Sequence, residues 1–141
     1  MNDCLFEIFA GEIFEMSDQR SRIDVVTRPT ADGGRDAYGR FFIGMPEDQV
    51  ELDFSLEAKC WQIDSGCGVK FTSRLISRIR HRQFGVFVTT SYVARQAYEE
   101  IRSDGHPIII ISGGDIAKIL IRSGLNTPTS VREFLEKKYP L

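Results

Sequence analysis

Two short apolar segments joined by a segment with helical spacing restrict this chain to folds that contain parallel strands. The first, FGVFVTTS, covers residues 84–91, and the second, PIIII, covers residues 107–111. Apolar runs of this length are typical of strands buried on both faces of a sheet. The segment between them, YVARQAYEEIRSDG, has the spacing of an amphipathic helix. This order predicts a right-handed βαβ unit with two parallel strands, and therefore an α/β protein.

Further helices and strands are predicted on both sides of this unit. Helical spacing and alternation predict a helix over 3–16, strands over 22–28, 37–44 and 51–61, a helix over 69–82, and, after the unit, helices over 112–124 and 129–139. Ser112 or Asp115 is expected to cap the first of the last two helices, and Thr129 or Ser130 the second. We expect Ser91 to cap the helix of the βαβ unit, and Trp61 to pack in the core.

Length and composition limit the classes of protein that this chain can belong to. A chain of 141 residues with 42% hydrophobic and 27% charged residues is expected to fold as one globular domain over residues 1–141. The absence of an apolar run of about 20 residues and of a signal sequence predicts a cytoplasmic protein without a membrane span. Three cysteines without metal-site spacing predict free thiols. The net charge of −2 means that any binding of nucleic acid must depend on a local basic patch.

Two acidic residues and a lysine form a candidate metal and catalytic site. Glu57 and Lys59 are two residues apart in the alternating strand ELDFSLEAKCW and therefore lie on one face of it, with the carbonyl of Ala58 between them. Asp36 follows the glycine turn DGGRD. If Asp36 approaches that face, the carboxylates and the carbonyl suit Mg²⁺, which prefers oxygen ligands. The alternative is that Glu57 and Lys59 belong to the solvated face of an edge strand.

The predicted helix after this strand has a basic face that contains no acid. Steps of four residues align Lys70, Arg74, Arg78 and Arg82, and such a row can follow DNA phosphates while the opposite face packs on the sheet. The alternative is a charged face that is merely solvated. Thr90, at the end of the next predicted strand, is a candidate donor to phosphate.

The order of these motifs resembles the PD-(D/E)xK nucleases, and DGGRDAYG, EAK and FGVFVTTSYVARQAYEEI resemble the Mrr-type catalytic domain of modification-dependent restriction enzymes. The resemblance extends from about residue 6 to residue 120. It implies a restriction-endonuclease-like three-layer fold in which helices flank a central mixed β-sheet. It also implies that Asp36 and Glu57 are metal ligands and that Lys59 is the catalytic lysine. The family has a glutamate on the opening helix near the metal, for which Glu7 matches best and Glu12 is the alternative.

These observations lead to one functional hypothesis and two alternatives. The hypothesis is a DNA endonuclease domain of a restriction system that uses Mg²⁺, for which Mn²⁺ can substitute, to cut double-stranded DNA. The alternatives are a junction-resolving or repair nuclease and a DNA-binding module of the same fold without turnover. Because cutting both strands generally needs two active sites, a homo-oligomer is expected. Since no base-reading element is recognisable, we also expect a fused or partner specificity domain.

Overall fold

A computed structural model describes residues 1, 3–27, 36–81 and 83–140. In these residues, five helices and five strands follow one another along the chain. They are α1 (Asp3–Ser17), β1 (Ser21–Val26), β2 (Ala37–Met45), β3 (Asp48–Lys59), α2 (Val69–Ile76), β4 (Gln83–Thr89), α3 (Arg95–Ser103), β5 (Ile108–Ile111), α4 (Gly113–Arg122) and α5 (Pro128–Lys138).

The strands form a single mixed sheet in the order β1-β2-β3-β4-β5. β1, β2 and β3 are antiparallel neighbours, whereas β3, β4 and β5 are parallel. The predicted parallel pairing of β4 with β5 around α3 is confirmed. β3 lies at the centre of the sheet, and its last residues, which include Glu57 and Lys59, extend beyond β2 and pair with β4 alone.

Two apolar clusters place helices on both faces of the sheet. The larger cluster joins α1, α4 and α5 to one face, where β3 contributes Phe54 and Leu56. The smaller cluster joins α2 and α3 to the other face around Leu75, Phe87 and Ile101. Alternation along β3 therefore directs Glu57 away from the larger cluster. The predicted three-layer α/β fold with a mixed central sheet is confirmed.

The prediction of a long basic helix over residues 69–82 was wrong. α2 ends at Ile76, and the amide of Arg78 bonds to the carbonyl of Leu75 in a tight turn. The chain must turn here because β4 starts at Gln83, which pairs with Asp53 of β3. Lys70 and Arg74 therefore lie on the helix and Arg78 lies beyond it.

Several predictions about individual side chains also need correction. Trp61 is 39% exposed and not a core residue, because β3 ends before it and the chain leaves the sheet. Thr127 caps α5 in place of Thr129 or Ser130, although Ser130 completes the capping box. Ser91 does not cap α3, whose N-cap is Ala94. Of the two predicted caps of α4, Ser112 is the N-cap, and Asp115 completes the capping box.

Two further expectations concern the cysteines and the membrane. All three cysteines have free thiols, with Cys67 buried. Among the described residues, no helix is long and apolar enough to cross a membrane.

Arg82 and the glycine turn before Asp36 lie outside the described residues.

Candidate active site

Asp36 is held against the end of β3 by both its backbone and its side chain. Its amide donates to the carbonyl of Leu56 at 3.0 Å, and its carbonyl accepts from the amide of Thr27 at 2.8 Å. Its carboxylate oxygen Oδ2 accepts a hydrogen bond of 2.7 Å from the amide of Ala58. These contacts fix the Asp36 carboxylate beside the residue that separates Glu57 from Lys59.

Glu57 is a buried carboxylate with a cationic neighbour. Only 7% of the residue is exposed, and its Oε1 lies 3.3 Å from Nη1 of Arg78. The turn that ends α2 therefore brings Arg78 back to β3, where it neutralises part of the charge on Glu57. This contact gives Arg78 a role inside the protein that differs from the predicted phosphate contact.

One cleft of about 280 Å³ brings most of the predicted site residues together at the end of β3. It is lined by Asp3, Phe6, Glu7, Asp36, Glu57, Ala58, Lys59, Cys60, Lys70, Phe71, Arg74 and Phe87. Of the two candidate helix glutamates, Glu7 lines the cleft. Glu12 instead contacts the ammonium of Lys138 and the hydroxyl of Tyr139, near the C-terminal end of the chain.

Burial raises the pKa of three acidic side chains of the cleft, and the charge of Asp36 adds to this effect at Glu57 and Glu7. Burial, with Asp36 as the next cause, raises the pKa of Glu57 to about 7 against the opposing effect of Arg78. Burial, followed by the charges of Asp36 and Asp3, raises the pKa of Glu7 to about 7. Burial also raises the pKa of Asp36, although the hydrogen bond from Ala58 and the nearby cations oppose this effect. Carboxylates destabilised in this way favour a bound cation.

The predicted DNA-binding residues are divided by the structure. Lys70 and Arg74 lie on α2 and line the cleft. Thr90 does not line it, and its hydroxyl donates to the carbonyl of Trp61 at 2.6 Å while accepting from the amide of Trp61 at 2.8 Å. Because a hydroxyl has a single proton to donate, the predicted donation from Thr90 to phosphate is not supported by this geometry.

The cleft also contains five residues that were not predicted from the sequence, namely Asp3, Phe6, Cys60, Phe71 and Phe87. Asp3 and Phe71 lie there because α1 and α2 both begin at its rim. The position of Phe71, one residue after Lys70 on a helix next to β3, is the signal that could have indicated its place.

Comparisons with known proteins agree with this arrangement. The sequence model of the restriction endonuclease family Mrr_cat matches residues 1–120, which is most of the chain. The chain belongs to the Mrr_cat restriction endonuclease family. The predicted resemblance is therefore confirmed, and the family assigns the chain to the nucleases.

Two solved structures have the fold of this Mrr_cat chain. The DNA modification-dependent restriction endonuclease AspBHI is 50% identical, with a TM-score of 0.84 over 94% of this chain and 34% of that one. A structure of the MspJI restriction endonuclease in complex with a 27-mer oligonucleotide is 27% identical, with a TM-score of 0.83 over 99% of this chain and 32% of that one. The chain thus spans about a third of the length of these relatives. The comparison with curated proteins found no match.

The oxygen ligands of this Mrr_cat cleft fit a divalent cation such as those that restriction endonucleases generally use. Asp36 and Glu57 offer two carboxylates, and burial gives both a raised pKa that a bound cation would relieve. Within the described residues, no group of three or more His, Cys, Asp and Glu side chains forms a metal cluster by itself. A site here therefore needs backbone or solvent oxygens to complete it, as Mg²⁺ sites commonly do.

Proposed function

We propose that this chain is the catalytic domain of a Mg²⁺-dependent DNA endonuclease, with Mn²⁺ as a substitute ion. The observation that carries the proposal is the convergence of Asp36, Glu57 and Lys59 in one cleft at the end of β3. Buried carboxylates such as those of Asp36 and Glu57 weaken the fold unless a ligand compensates them, which supports a bound cation at this site. We further propose that residues 1–141 act as a single catalytic domain.

Asp36, Glu57 and the carbonyl of Ala58 are the proposed metal ligands. A bound divalent cation would stabilise the negative charge that develops on the scissile phosphate. The hydrogen bond from the amide of Ala58 orients the Asp36 carboxylate, and Arg78 orients that of Glu57. We assign Glu7 to the outer part of the site, since it lines the cleft and Glu12 does not.

Lys59 is the proposed catalytic cation. Its ammonium can donate hydrogen bonds to an attacking water and to a phosphate oxygen, and so stabilise charge as the phosphodiester bond breaks. Lys70 and Arg74 stand on the α2 side of the same cleft and are the proposed contacts to the DNA backbone. Arg82 remains a candidate for the same role.

Double-stranded DNA is the proposed substrate, in agreement with the oligonucleotide bound to the MspJI neighbour. The chain spans about a third of its relatives. We therefore propose that a fused or partner domain selects the site, including any modified base. Because one cleft cuts one strand at a time, we propose that double-strand breaks need two copies of the domain.

Cleavage of supercoiled plasmid tests the proposal directly. Plain and methylated DNA would be incubated with Mg²⁺, with Mn²⁺ and with chelator, using the wild-type chain, Lys59→Met and Asp36→Asn. We expect Lys59→Met to reduce the rate by about 10²-fold or more and to retain metal binding, because it removes only the cation that stabilises developing charge. Asp36→Asn should lose both activity and metal binding, as measured by calorimetry.

Matched controls separate these effects from general loss of charge. Lys118→Met and Asp104→Asn remove the same charges from exposed positions outside the cleft and should cut at the wild-type rate. If the wild-type chain shows only chelator-insensitive background cutting on every DNA form, the proposed function is wrong.

A further inference from the structure

Two aromatic rings enclose the ammonium of Lys59 at the edge of the cleft. Nζ of Lys59 lies 4.9 Å from the ring centroid of Trp61 and 5.0 Å from that of Phe71. The two rings also contact each other, with centroids 5.4 Å apart. A cation within about 6 Å of an aromatic face is attracted by the quadrupole of the ring. We propose that Trp61 and Phe71 are positioning residues that form an aromatic clamp on the catalytic ammonium of Lys59, an inference that rests on the proposed function of this lysine.

The clamp is needed because little else fixes the lysine. Lys59 takes part in none of the ion pairs among the described residues, and the carboxylate of Glu57 is already paired with Arg78. A lysine side chain has four rotatable bonds and loses conformational freedom when it is fixed. Two ring faces compensate part of that cost without consuming the donors that Lys59 needs for catalysis.

The indole of Trp61 is itself held in place through its backbone. At 39% exposure, Trp61 is not fixed by burial alone. The hydroxyl of Thr90 binds both the amide and the carbonyl of Trp61, at 2.8 and 2.6 Å. The hydroxyl oxygen of Ser91 lies 3.2 and 3.1 Å from the carbonyl oxygens of Ile63 and Ser65, which share its one proton. These bonds attach the segment after β3 to the end of β4, and they therefore restrict the position of Trp61 in the clamp.

Phe71 connects the clamp to the helix that we propose contacts DNA. It lies on α2 between Lys70 and Arg74, and its ring packs against the smaller apolar cluster. The position of α2 therefore sets both the basic side chains and one half of the clamp. A change in Phe71 should disturb Lys59 without altering the charge of the cleft.

The fluorescence of Trp61 tests the contact without any need for activity. Trp61 is the single tryptophan of the chain, so its emission reports only on this site. Lys59→Met should change the intensity or the emission maximum of metal-free protein, because the ammonium next to the indole is lost. Lys70→Met removes an equal charge from the same cleft and should leave the spectrum close to wild type, because no cation–π contact among the described residues joins Lys70 to Trp61. If both variants have the wild-type spectrum, the clamp is absent in solution.

Steady-state cleavage tests the positioning role. Trp61→Leu and Phe71→Leu should each lower kcat by about threefold to about thirtyfold, the range expected for the loss of one cation–π contact, and change KM by less than about twofold. Trp61→Phe restores a ring face and should recover most of kcat. Ile63→Ala, which changes an 80% exposed side chain of the same segment, is the control and should behave as wild type.

Each other result argues against the clamp. A wild-type kcat in both leucine variants would show that the rings do not position Lys59. A selective rise in KM would show that Trp61 contacts DNA instead. Equal loss in Trp61→Phe and Trp61→Leu would mean that the ring face is not what matters. An inactive wild-type chain with the expected fluorescence change would refute the proposed function, and the contact between Lys59 and the rings would then have no catalytic role.

Discussion

At the scale of single residues, the site depends on carboxylates placed where they are unfavourable. Hydrogen bonds with the backbones of Leu56 and Ala58 hold Asp36, and Arg78 pairs with Glu57. Burial raises the pKa of both carboxyl groups. Such an arrangement lowers stability in the absence of a ligand, because the charged forms lose hydration. Local instability of this kind is common where a protein prepares a site for a cation or a substrate.

The loss of stability that these buried carboxylates cause should depend on pH, and we expect this dependence to be measurable. The pKa of Glu57 is about 7 in the folded chain and 4.5 as the ordinary value, so the folded state binds more protons than the unfolded state between these limits. Stability of the metal-free protein should therefore fall as the pH rises from about 5 to about 8. We expect Glu57→Gln to remove part of this fall, on the order of 2 kcal/mol, in urea unfolding with chelator present.

The matched control is an exposed glutamate on the same strand. Glu51→Gln changes a side chain that is 54% exposed, and should keep the pH dependence of the wild type. Added Mg²⁺ should reduce the dependence in the wild type, because a bound cation favours the ionised carboxylates. If Glu57→Gln and the wild type lose equal stability between pH 5 and pH 8, Glu57 is not the strained group that the structure indicates.

At the scale of elements, the sequence predicts those helices and strands whose positions are set by hydrophobic periodicity. The parallel pairing of β4 with β5 and the strand that presents Glu57 and Lys59 follow directly from apolar patterns. The end of α2 does not, because nothing local to residues 77–82 breaks a helix and the limit comes from the pairing of Gln83 with Asp53. Tertiary pairing of this kind has no signal in a single sequence.

The candidate site shows the same division. The grouping of Asp36 with Glu57 and Lys59 was predicted from the order of the motifs. The contact of Arg78 with Glu57 was not predicted, because it depends on the turn after α2, which has no signal in the sequence. Trp61 was expected in the core. It lies instead beside Lys59, since β3 ends at residue 59 and the chain continues along the rim of the cleft.

The early end of α2 leads to a prediction about DNA binding. Lys70 and Arg74 line the cleft, and Arg78 is paired with Glu57. Lys70→Gln and Arg74→Gln should each weaken binding to all sequences alike and reduce the slope of log affinity against log salt by about 0.9. Arg78→Gln should change this slope less, because its charge is already used inside the protein.

Binding would be measured by fluorescence anisotropy on several duplexes in Ca²⁺ or chelator, so that no DNA is cut. Arg95→Gln on α3 removes a cation whose side chain is 91% exposed and serves as the matched control. An unchanged slope in the Lys70 and Arg74 variants would show that this face of α2 is merely solvated and does not contact phosphates. A slope reduced equally by Arg78→Gln would show that its ion pair with Glu57 opens on binding.

At the scale of the whole molecule, the described residues include no evident reader of bases beside the proposed catalytic and phosphate-contacting side chains. Sequence is read by side chains that reach base edges in a groove, whereas phosphate contacts only position the protein. Most of the described residues belong to one sheet and to the helices that cover it, and the family model matches residues 1–120. The relatives are about three times as long as the part that this chain matches.

We therefore expect the chain alone to cut weakly and with little base preference. Plain and methylated genomic DNA would be mixed and digested, and the ends of the products sequenced, with Lys59→Met prepared in parallel to remove any contaminating nuclease from the count. Because each copy holds one cleft, nicked plasmid should accumulate before linear plasmid, and the linear form should increase more steeply than protein concentration. A sharp consensus around the cuts, or a preference for methylated DNA that Lys59→Met abolishes, would show that the described loops read bases after all. The segment from Trp61 to Gly66, which stands beside the cleft and is attached to β4, would then be the first place to look.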